Sequence, residues 1–473
     1  KVANYQALIK KLQRMLFGSK RERFVSEPVA ENQLNLSFEE LVDKNTSDLP
    51  VKDVVEKRKP RKRNHKGRKP LPKDLPEEVI VIEPEESTEG LVQIGEERTE
   101  ILERIPAKFL KIVIIRPKYA KANGEGVLIA DMPSRPIEKC IAGNGLLAQI
   151  LIGKYVDHLP LYRQLQMFKR SDIDISSSTI GDWIKGLGTL LEPLYDAMVN
   201  TVKNDSYIQA DETPTKVLDK QKKGKTHLGY HWVYHSPLKR MVVFDYQKGR
   251  SKEAPRSMLD EFKGYLQTDG YKVYTSYGSK PEVTHLGCWA HARRYFDQAL
   301  DQDNARASYA LEKIKEIYLI ERELKESSAS ERKEGRLNKS LPIINELGKW
   351  ISQENRQILP KSSIGKAFTY AINIWDSLQH YLYNGDLLID NNLIENSIRP
   401  NALGRKNYLF AGSHEGAQRT AMFYSFLGTC KMQGVNPEKW LQQVLSKISD
   451  HKVNKLYELF PGNLELSDQD SYL

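Results

Sequence analysis

The chain has 473 residues, 40% of them hydrophobic, with 72 lysines and arginines against 62 acids and a formal net charge of +10. That length supports two to four domains with ordinary cores, and the longest apolar runs, such as residues 145–152, are too short to span a bilayer. No signal-peptide pattern opens the sequence, and three scattered cysteines, Cys140, Cys288 and Cys430, provide neither a disulfide framework nor a cysteine-rich zinc site, so a soluble cytoplasmic protein with no membrane partner is expected.

Residues 1–25 read as a helix, because Leu8, Ile9, Leu12, Met15 and Leu16 recur at a helical period before Gly18. One apolar stripe on a short helix needs a partner, either another helix of the chain or a second protomer. Residues 26–76 are polar and proline-punctuated, the composition of a disordered linker. Within them, residues 57–73 carry ten lysines or arginines and no acid, which equals the whole charge excess. Such a run is either a solvated spacer or an arm for phosphates, with Arg61, Lys62, Arg63, Arg68 and Lys69 as its contacts; residues 66–70 have the form of a small basic hook for an AT-rich minor groove. Residues 77–140 hold β-branched runs at 79–82, 109–115 and 127–129, which predict a small strand-rich module.

Three helical patterns fill residues 141–203: 146–156, 160–168, and one that opens on the serines of 175–178 and carries Ile180, Trp183, Ile184 and Leu187. That is a helix-turn-helix spacing, in which Ser178, Thr179 and Asp182 would face DNA, and it is equally the spacing of a plain helical connector. Strands are expected at 207–210, 228–234 and 241–246, then a helix around 252–262 and a strand running into Asp269. Three strands, a helix and a strand give the order of an α/β, ribonuclease-H-like core.

Asp211 falls at the end of the first of these strands, Asp269 stands before Gly270, and Glu395 lies in the helical stretch 389–400. A carboxylate held just past a strand, beside a glycine or proline turn, is what a pair of divalent cations needs for in-line attack on phosphorus; the bland alternative is three ordinary surface acids. His285, Cys288 and His291 have ligand-like spacing without an evident fourth ligand, so a buried cysteine with hydrogen-bonded histidines is the preferred reading. The separation of Asp269 from Glu395, 395 − 269 = 126 positions, exceeds what a core strand and helix need. Residues 301–383, helical in pattern with a charged interruption at 331–336, form the insertion, inside a core of 204–300 and 384–412. Residues 413–473 close the chain with helices, the second capped by Asn436 with Pro437 in its first turn.

The stretches 155–163, 287–294 (Gly-Cys-Trp-Ala-His-Ala-Arg-Arg), 389–400 and 404–413 together resemble the transposases of the insertion sequence 66 family, and the resemblance extends over nearly the whole chain, including 16–20 and 67–72. It implies a DDE carboxylate triad on a ribonuclease-H-like, retroviral-integrase-like core with a helical insertion, preceded by DNA-binding modules and followed by C-terminal helices. Motif by motif, it assigns Asp211, Asp269 and Glu395 to catalysis and to two Mg2+ or Mn2+ ions. Double-stranded DNA, as element ends and target, is the implied partner, bound by a nucleoid-associated homo-oligomer with or without accessory proteins. Arg293, Arg294, Arg399, Arg405 and Lys406 join the basic run, Ser178 and Thr179 as candidate DNA contacts. The family's cysteine-rich zinc module corresponds here to residues 117–126, which have no cysteine, so zinc is not expected. A nuclease of the same fold that cuts without joining, and a transposase-derived DNA-binding protein without catalysis, are the rival readings. Asp390 precedes the helical run and suits an N-cap, whereas Glu395 shares a face with Asn391, Asn392 and Arg399, which makes Glu395 the expected third acid.

Overall fold

The computed structural model describes residues 134–219 and 225–466, with short pieces between 109 and 129. The expected helix of 1–25, the basic run with Arg61, Lys62, Arg63, Arg68 and Lys69, and the strand at 79–82 lie outside the described residues. Residues 32–130 form a unit of their own, in which β1 (Lys118–Ala120) and β2 (Val127–Ile129) pair antiparallel with Lys118 opposite Ile129. The run 109–115, expected as a strand, is not one: its described residues have no regular structure, and Phe109, Ile112, Val113 and Ile115 are exposed. β-Branching favours an extended backbone but makes a strand only where a pairing partner and a buried face exist.

Among the described residues, the first helices of the larger unit are α1 (Asn144–Tyr155), α2 (Leu161–Lys169) and α3 (Ser177–Lys203). Ser176 starts α3 by accepting a hydrogen bond from the Thr179 amide at 3.1 Å, and Leu187, Leu191, Leu194, Met198 and Val202 bury one stripe of it. A five-stranded sheet follows in the order β5-β4-β3-β6-β7. Its first three strands, β3 (Tyr207–Leu218), β4 (Thr226–Ser236) and β5 (Met241–Gln247), are an antiparallel meander. β6 (Gly264–Gln267) pairs parallel to β3 on the other side, and β7 (Val283–Leu286) pairs parallel to β6.

The helix expected at 252–262 is a single turn, α4 (Arg256–Leu259), with turns before it. Pro255 ends the run of turns and has no N–H to continue a helix from further upstream. α5 (Lys272–Gly278) bridges β6 and β7, and α6 (Trp289–Asp297) leaves β7.

The insertion comprises α7 (Asn304–Glu323), α8 (Ala329–Gly335), α9 (Leu341–Glu354), α10 (Ser363–Asn373) and α11 (Trp375–Gln379), packed with α6 around a second core that includes Ile314, Ile317, Leu347, Ile351, Phe296 and Phe368. The charged stretch 331–336 does not interrupt this helical array. Ser328 and Glu331 form a reciprocal capping box that starts α8, and the break falls before it, at 324–328.

The chain then returns to the sheet as α12 (Asn392–Tyr408), α13 (His414–Gln433) and α14 (Pro437–Lys447), the last capped by Asn436 through the Glu438 and Lys439 amides. α13 and α3 close the outer edge of β5. Ser425 and Thr429 accept hydrogen bonds from the Phe244 and Val242 amides at 2.8 and 3.1 Å, and the Tyr195 hydroxyl donates to the Phe244 carbonyl at 2.7 Å. An edge strand is thereby left with few free backbone groups.

α8 passes into a π-helical turn (Arg336–Ser340) that aims a fully buried arginine inward. Arg336 Nε and Nη2 donate to the two carboxylate oxygens of Glu321 at 2.8 and 2.6 Å, and its remaining N–H groups donate to the carbonyls of Tyr381, Asn384 and Leu387 at 2.9 to 3.0 Å. The guanidinium fork satisfies every donor only in this arrangement. Arg336→Met is expected to destabilise the insertion by about 3–5 kcal/mol, since Glu321 and three carbonyls lose their partner inside the protein. Urea unfolding compared with wild type checks this, and Arg336→Lys is expected to recover only part of the loss.

Candidate active site

The structure places Asp211 inside β3 rather than at its end, because residues 211–218 continue to pair with β4 from Asp211 opposite Val233 to Leu218 opposite Thr226. What ends near Asp211 is the pairing on the other side. β6 meets β3 only from Tyr207 to Gln209, so the β3 edge opens where the carboxylate stands. Asp269 lies two residues past β6. Its Oδ1 accepts from the Tyr271 amide at 2.9 Å around Gly270, whose φ of +87° is a conformation that disfavours side chains, and Tyr370 donates its hydroxyl to the Asp269 carbonyl at 2.8 Å.

The two strands are locked to the segment before α12 by buried amides. Gln209 Nε2 donates to Gln267 Oε1 at 2.8 Å and to the Asp390 carbonyl at 3.1 Å, while Gln267 Nε2 donates to the carbonyls of Leu388 and Gly287 at 2.9 and 3.2 Å. The Tyr207 hydroxyl donates to Gln267 Oε1 at 2.5 Å and accepts from the Leu388 amide at 3.2 Å. Gln209 Oε1 is then left to accept from His235 Nδ1 at 2.8 Å; burial pushes the His235 pKa down to about 3, so the ring is neutral with its proton on Nδ1. Each glutamine stands two residues ahead of an acid, a pattern readable in the sequence as Gln-Ala-Asp and Gln-Thr-Asp yet not recognised there as structural.

Asp390 is not the N-cap expected of it. α12 starts one residue later, its N-cap Asn391 makes no side-chain cap bond, and buried Asp390 instead accepts from the Asn392 amide at 3.1 Å, the Asn392 side chain at 3.0 Å and the Tyr318 hydroxyl at 2.8 Å. These bonds tie the start of α12 to α7 in the insertion. Burial, more than any neighbouring charge, raises the Asp390 carboxyl above its ordinary range. In the first turn of α12, Ile394 is buried and Glu395, about 100° further round the helix, is half-buried. Glu395 Oε1 is 3.4 Å from His291 Nε2, and its Oε2 accepts from Arg294 Nη2 at 3.4 Å; both partners come from α6. Oε1 has no hydrogen-bond donor although it is buried. Burial holds the His291 pKa below its ordinary value, with the Glu395 charge opposing.

Glu212, adjacent to Asp211, projects to the other face of the sheet, where it is almost fully enclosed. It accepts from Arg250 Nε at 2.7 Å, again from Arg250 Nη2, and from the Tyr274 hydroxyl at 2.7 Å. The Arg250 guanidinium also stacks on the Tyr271 ring at 4.0 Å. A line of contacts therefore runs from Asp269 through Tyr271 and Arg250 to the residue after Asp211. Neither Glu212 nor Arg250 stood out in the sequence, since nothing local marks a strand glutamate as buried.

The remaining candidates diverge. His285 is buried against Thr268 Oγ1 at 2.9 Å with its pKa pushed down to about 4 by burial, and Cys288 Sγ accepts from the Asn391 amide at 3.5 Å with burial pushing its thiol up. Among the described residues no group of three or more histidines, cysteines or acids encloses a metal position. Arg293 is half-buried, whereas Arg294, Arg399 and Lys406 are exposed. Arg405 is half-buried and donates to the Pro214 carbonyl. Ser178 and Thr179 open α3, and their hydroxyls lie 2.7 and 2.8 Å from Ser176 Oγ.

Comparison with known proteins decides the family. Residues 139–419 match the family model described as Transposase IS66 family, and residues 425–461 match the IS66 C-terminal element. This chain belongs to the IS66 transposase family. Residues 4–80 match the homeodomain of Transposase C of IS166, a span that includes the basic run. Three uncharacterized proteins of Sinorhizobium fredii, y4qI, y4hP and y4jD, are 34%, 32% and 30% identical to the chain; they cover 98%, 96% and 98% of it and 89%, 87% and 94% of their own lengths. Among the described residues no helix of this IS66 transposase is long and apolar enough to cross a membrane.

Asp211, Asp269 and Glu395 offer carboxylate oxygens, the donor type that a hard divalent cation takes. Burial raises the Asp211 carboxyl well above its ordinary value, and the charges of Asp269, Glu212 and Glu395 raise it further, while the buried Glu395 Oε1 lacks a donor. A cation beside these oxygens would remove the repulsion. Asp211→Asn in the metal-free IS66 transposase is therefore expected to raise the melting temperature at pH 7. The wild-type protein should gain about 2.7 kcal/mol from Mg2+ or Mn2+ at a hundredfold excess over Kd, and the variant much less. Differential scanning calorimetry with and without metal measures both; a wild-type stability indifferent to metal would remove the cation from this site.

Proposed function

We propose that this IS66 transposase cuts the ends of its insertion sequence and joins them to target DNA, as a metal-dependent DDE enzyme on a ribonuclease-H-like core. The observation that supports the reading is electrostatic: the Asp211 carboxyl, raised by burial, is raised further by the charges of Asp269 and Glu395. The reading is also supported by the sheet order, an antiparallel meander flanked by two parallel strands, which is the order of a ribonuclease-H-like core. Asp211, Asp269 and Glu395 would hold two Mg2+ or Mn2+ ions, which when bound supply Lewis acidity toward the attacking water or 3′-hydroxyl and toward the leaving oxygen.

The chain's own groups supply the rest. The Glu212–Arg250 pair and the glutamine network fix the two aspartates from opposite faces of the sheet, so little reorganisation is left for the reaction itself. Arg294, half-exposed beside Glu395, is placed to grip a phosphate oxygen at the mouth of the site, and Arg399 and Lys406 extend that grip along α12. Residues 4–80, with the basic arm, would bind double-stranded DNA, with the protein working as a nucleoid-associated homo-oligomer and with accessory proteins where the element supplies them.

Incubation with the element's terminal DNA and Mg2+, scoring cleavage and joining separately, tests the proposal. Cleavage without joining favours a nuclease, and binding without either favours a non-catalytic DNA-binding protein. Asp211→Asn, Asp269→Asn and Glu395→Gln are each expected to lose at least about 10²–10³-fold in cleavage rate while binding DNA normally. Asp390→Asn, whose amide oxygen can still accept from the Asn392 amide, is expected to keep the chemistry at some cost in stability. The reverse ranking of Asp390 and Glu395, on folded proteins, would transfer the third role. Deleting residues 57–73 is expected to weaken binding to any sequence and to reduce the log–log salt slope by about 0.9 for each phosphate no longer neutralised by the arm; an unchanged slope would make the segment a spacer.

A further inference from the structure

The face of α12 that carries Glu395 continues past the site and ends in an unusual turn. At about 100° per residue, Glu395, Arg399, Ala402, Leu403 and Lys406 lie within about 100° of arc on that helix. Arg399, Leu403 and Lys406 are exposed. The helix stops at Leu409, whose φ of +54° and ψ of −41° put a leucine where side chains are disfavoured, closed by the Phe410 amide donating to the Tyr408 carbonyl at 2.5 Å. A γ-turn of this hand is rare and costs free energy, and it persists only where the surroundings impose it.

Here they do. The Leu409 amide donates to the Arg405 carbonyl at 3.2 Å, and on the far side Ala411 docks on the end of β3, exchanging backbone hydrogen bonds of 2.8 and 2.9 Å with Lys216 and Leu218. Arg405 ties the helix to Pro214, and the Tyr408 hydroxyl meets that of Tyr424. The outcome of this bracing is two large apolar side chains held in solvent, Leu409 at 62% and Phe410 at 45% exposure, next to the exposed cations Lys406 and Lys216.

We infer that the Leu409–Phe410 turn is a DNA wedge: duplex DNA whose phosphate enters at Glu395 runs along α12, and Phe410, backed by Leu409, enters between two base steps and unstacks them. Charge favours this occupant over an apolar peptide, because the track between the acid and the turn presents Arg399 and Lys406, and the turn itself is flanked by lysine. The distance sets the position. From Glu395 to the end of the helix at Tyr408 is 408 − 395 = 13 residues, about 20 Å, or about six base steps at 3.4 Å each, and Phe410 stands just beyond. The inference rests on the DNA-cutting reading above and adds where, and through which side chains, the flanking duplex is deformed.

The test uses the full chain and duplexes of the element's terminal sequence, each with one 2-aminopurine about three to nine base pairs from the cleaved phosphate, since this base brightens when unstacked. Wild type is expected to brighten the probe about six base pairs from the cut and not at either end of the series. Phe410→Ala should abolish the brightening and weaken binding about tenfold, the value of one aromatic–base stack, with an unchanged melting temperature. Leu409→Gly, which relieves the positive φ, should raise the melting temperature and still reduce the brightening, a pair of results that a purely structural leucine would not give. Brightening that survives Phe410→Ala, or a change in oligomeric state in its place, overturns the wedge and leaves cleavage, and so the proposed function, standing. A wild-type protein that neither binds nor cuts the terminal duplex overturns both.

Discussion

Two buried glutamines meet at 2.8 Å in the sheet, and the geometry of the site depends on them. Gln209 and Gln267 bring β3 and β6 together at the last register they share, and their remaining amide groups reach the carbonyls of Leu388 and Asp390. Glu395 is 395 − 211 = 184 positions from Asp211 along the chain, so nothing local brings the two together. A buried amide left without a partner costs about 1–3 kcal/mol, and in this network each satisfied group depends on the others being in place. The result is a narrow choice of positions for the segment that leads into α12, and hence for its acid.

The insertion reinforces the same segment from the opposite side. Arg336 holds the carbonyls of Tyr381, Asn384 and Leu387, and Tyr318 holds Asp390, so the segment before α12 is gripped by α7 and the π turn on one side and by the sheet on the other. Those interactions give the insertion a role that packing alone would not. Arg336 lies 395 − 336 = 59 positions from Glu395, yet it holds carbonyls of the segment that leads into the helix carrying that acid.

Much of this architecture was legible from periodicity. The alternating pattern found the three meander strands, the serines before Ile180 marked the start of α3, and Asn436 with Pro437 marked α14. The same reading took Asp390 for the N-cap of α12, a position that Asn391 occupies, because a capping residue and a buried acceptor look alike in sequence. What escaped was pairwise. Gln209 and Gln267 read as polar residues in strands, Glu212 reads as the solvent-facing neighbour of Asp211, and Arg250 as a loop cation; only the fold, which places them together across tens of positions, gives each a partner. The strand expected at 109–115 and the helix expected at 252–262 also failed. At 109–115 the described residues take no regular structure and mostly face solvent, and at 252–262 Pro255 has no N–H with which to continue a helix.

The closure of the β5 edge has a consequence in time. The Val242 amide is capped by Thr429, 187 positions later in the chain. At a synthesis rate of about 5–20 residues per second, roughly 10–40 s pass between the appearance of β5 and that of the helix that covers it. For that interval the Val242 and Phe244 amides of β5 are without the hydroxyls that later accept from them, and α3, made earlier, is the only one of the two covering helices present. An unpaired edge is a template for a strand of another chain, so the delay before α13 emerges is the period in which β5 is exposed to that hazard.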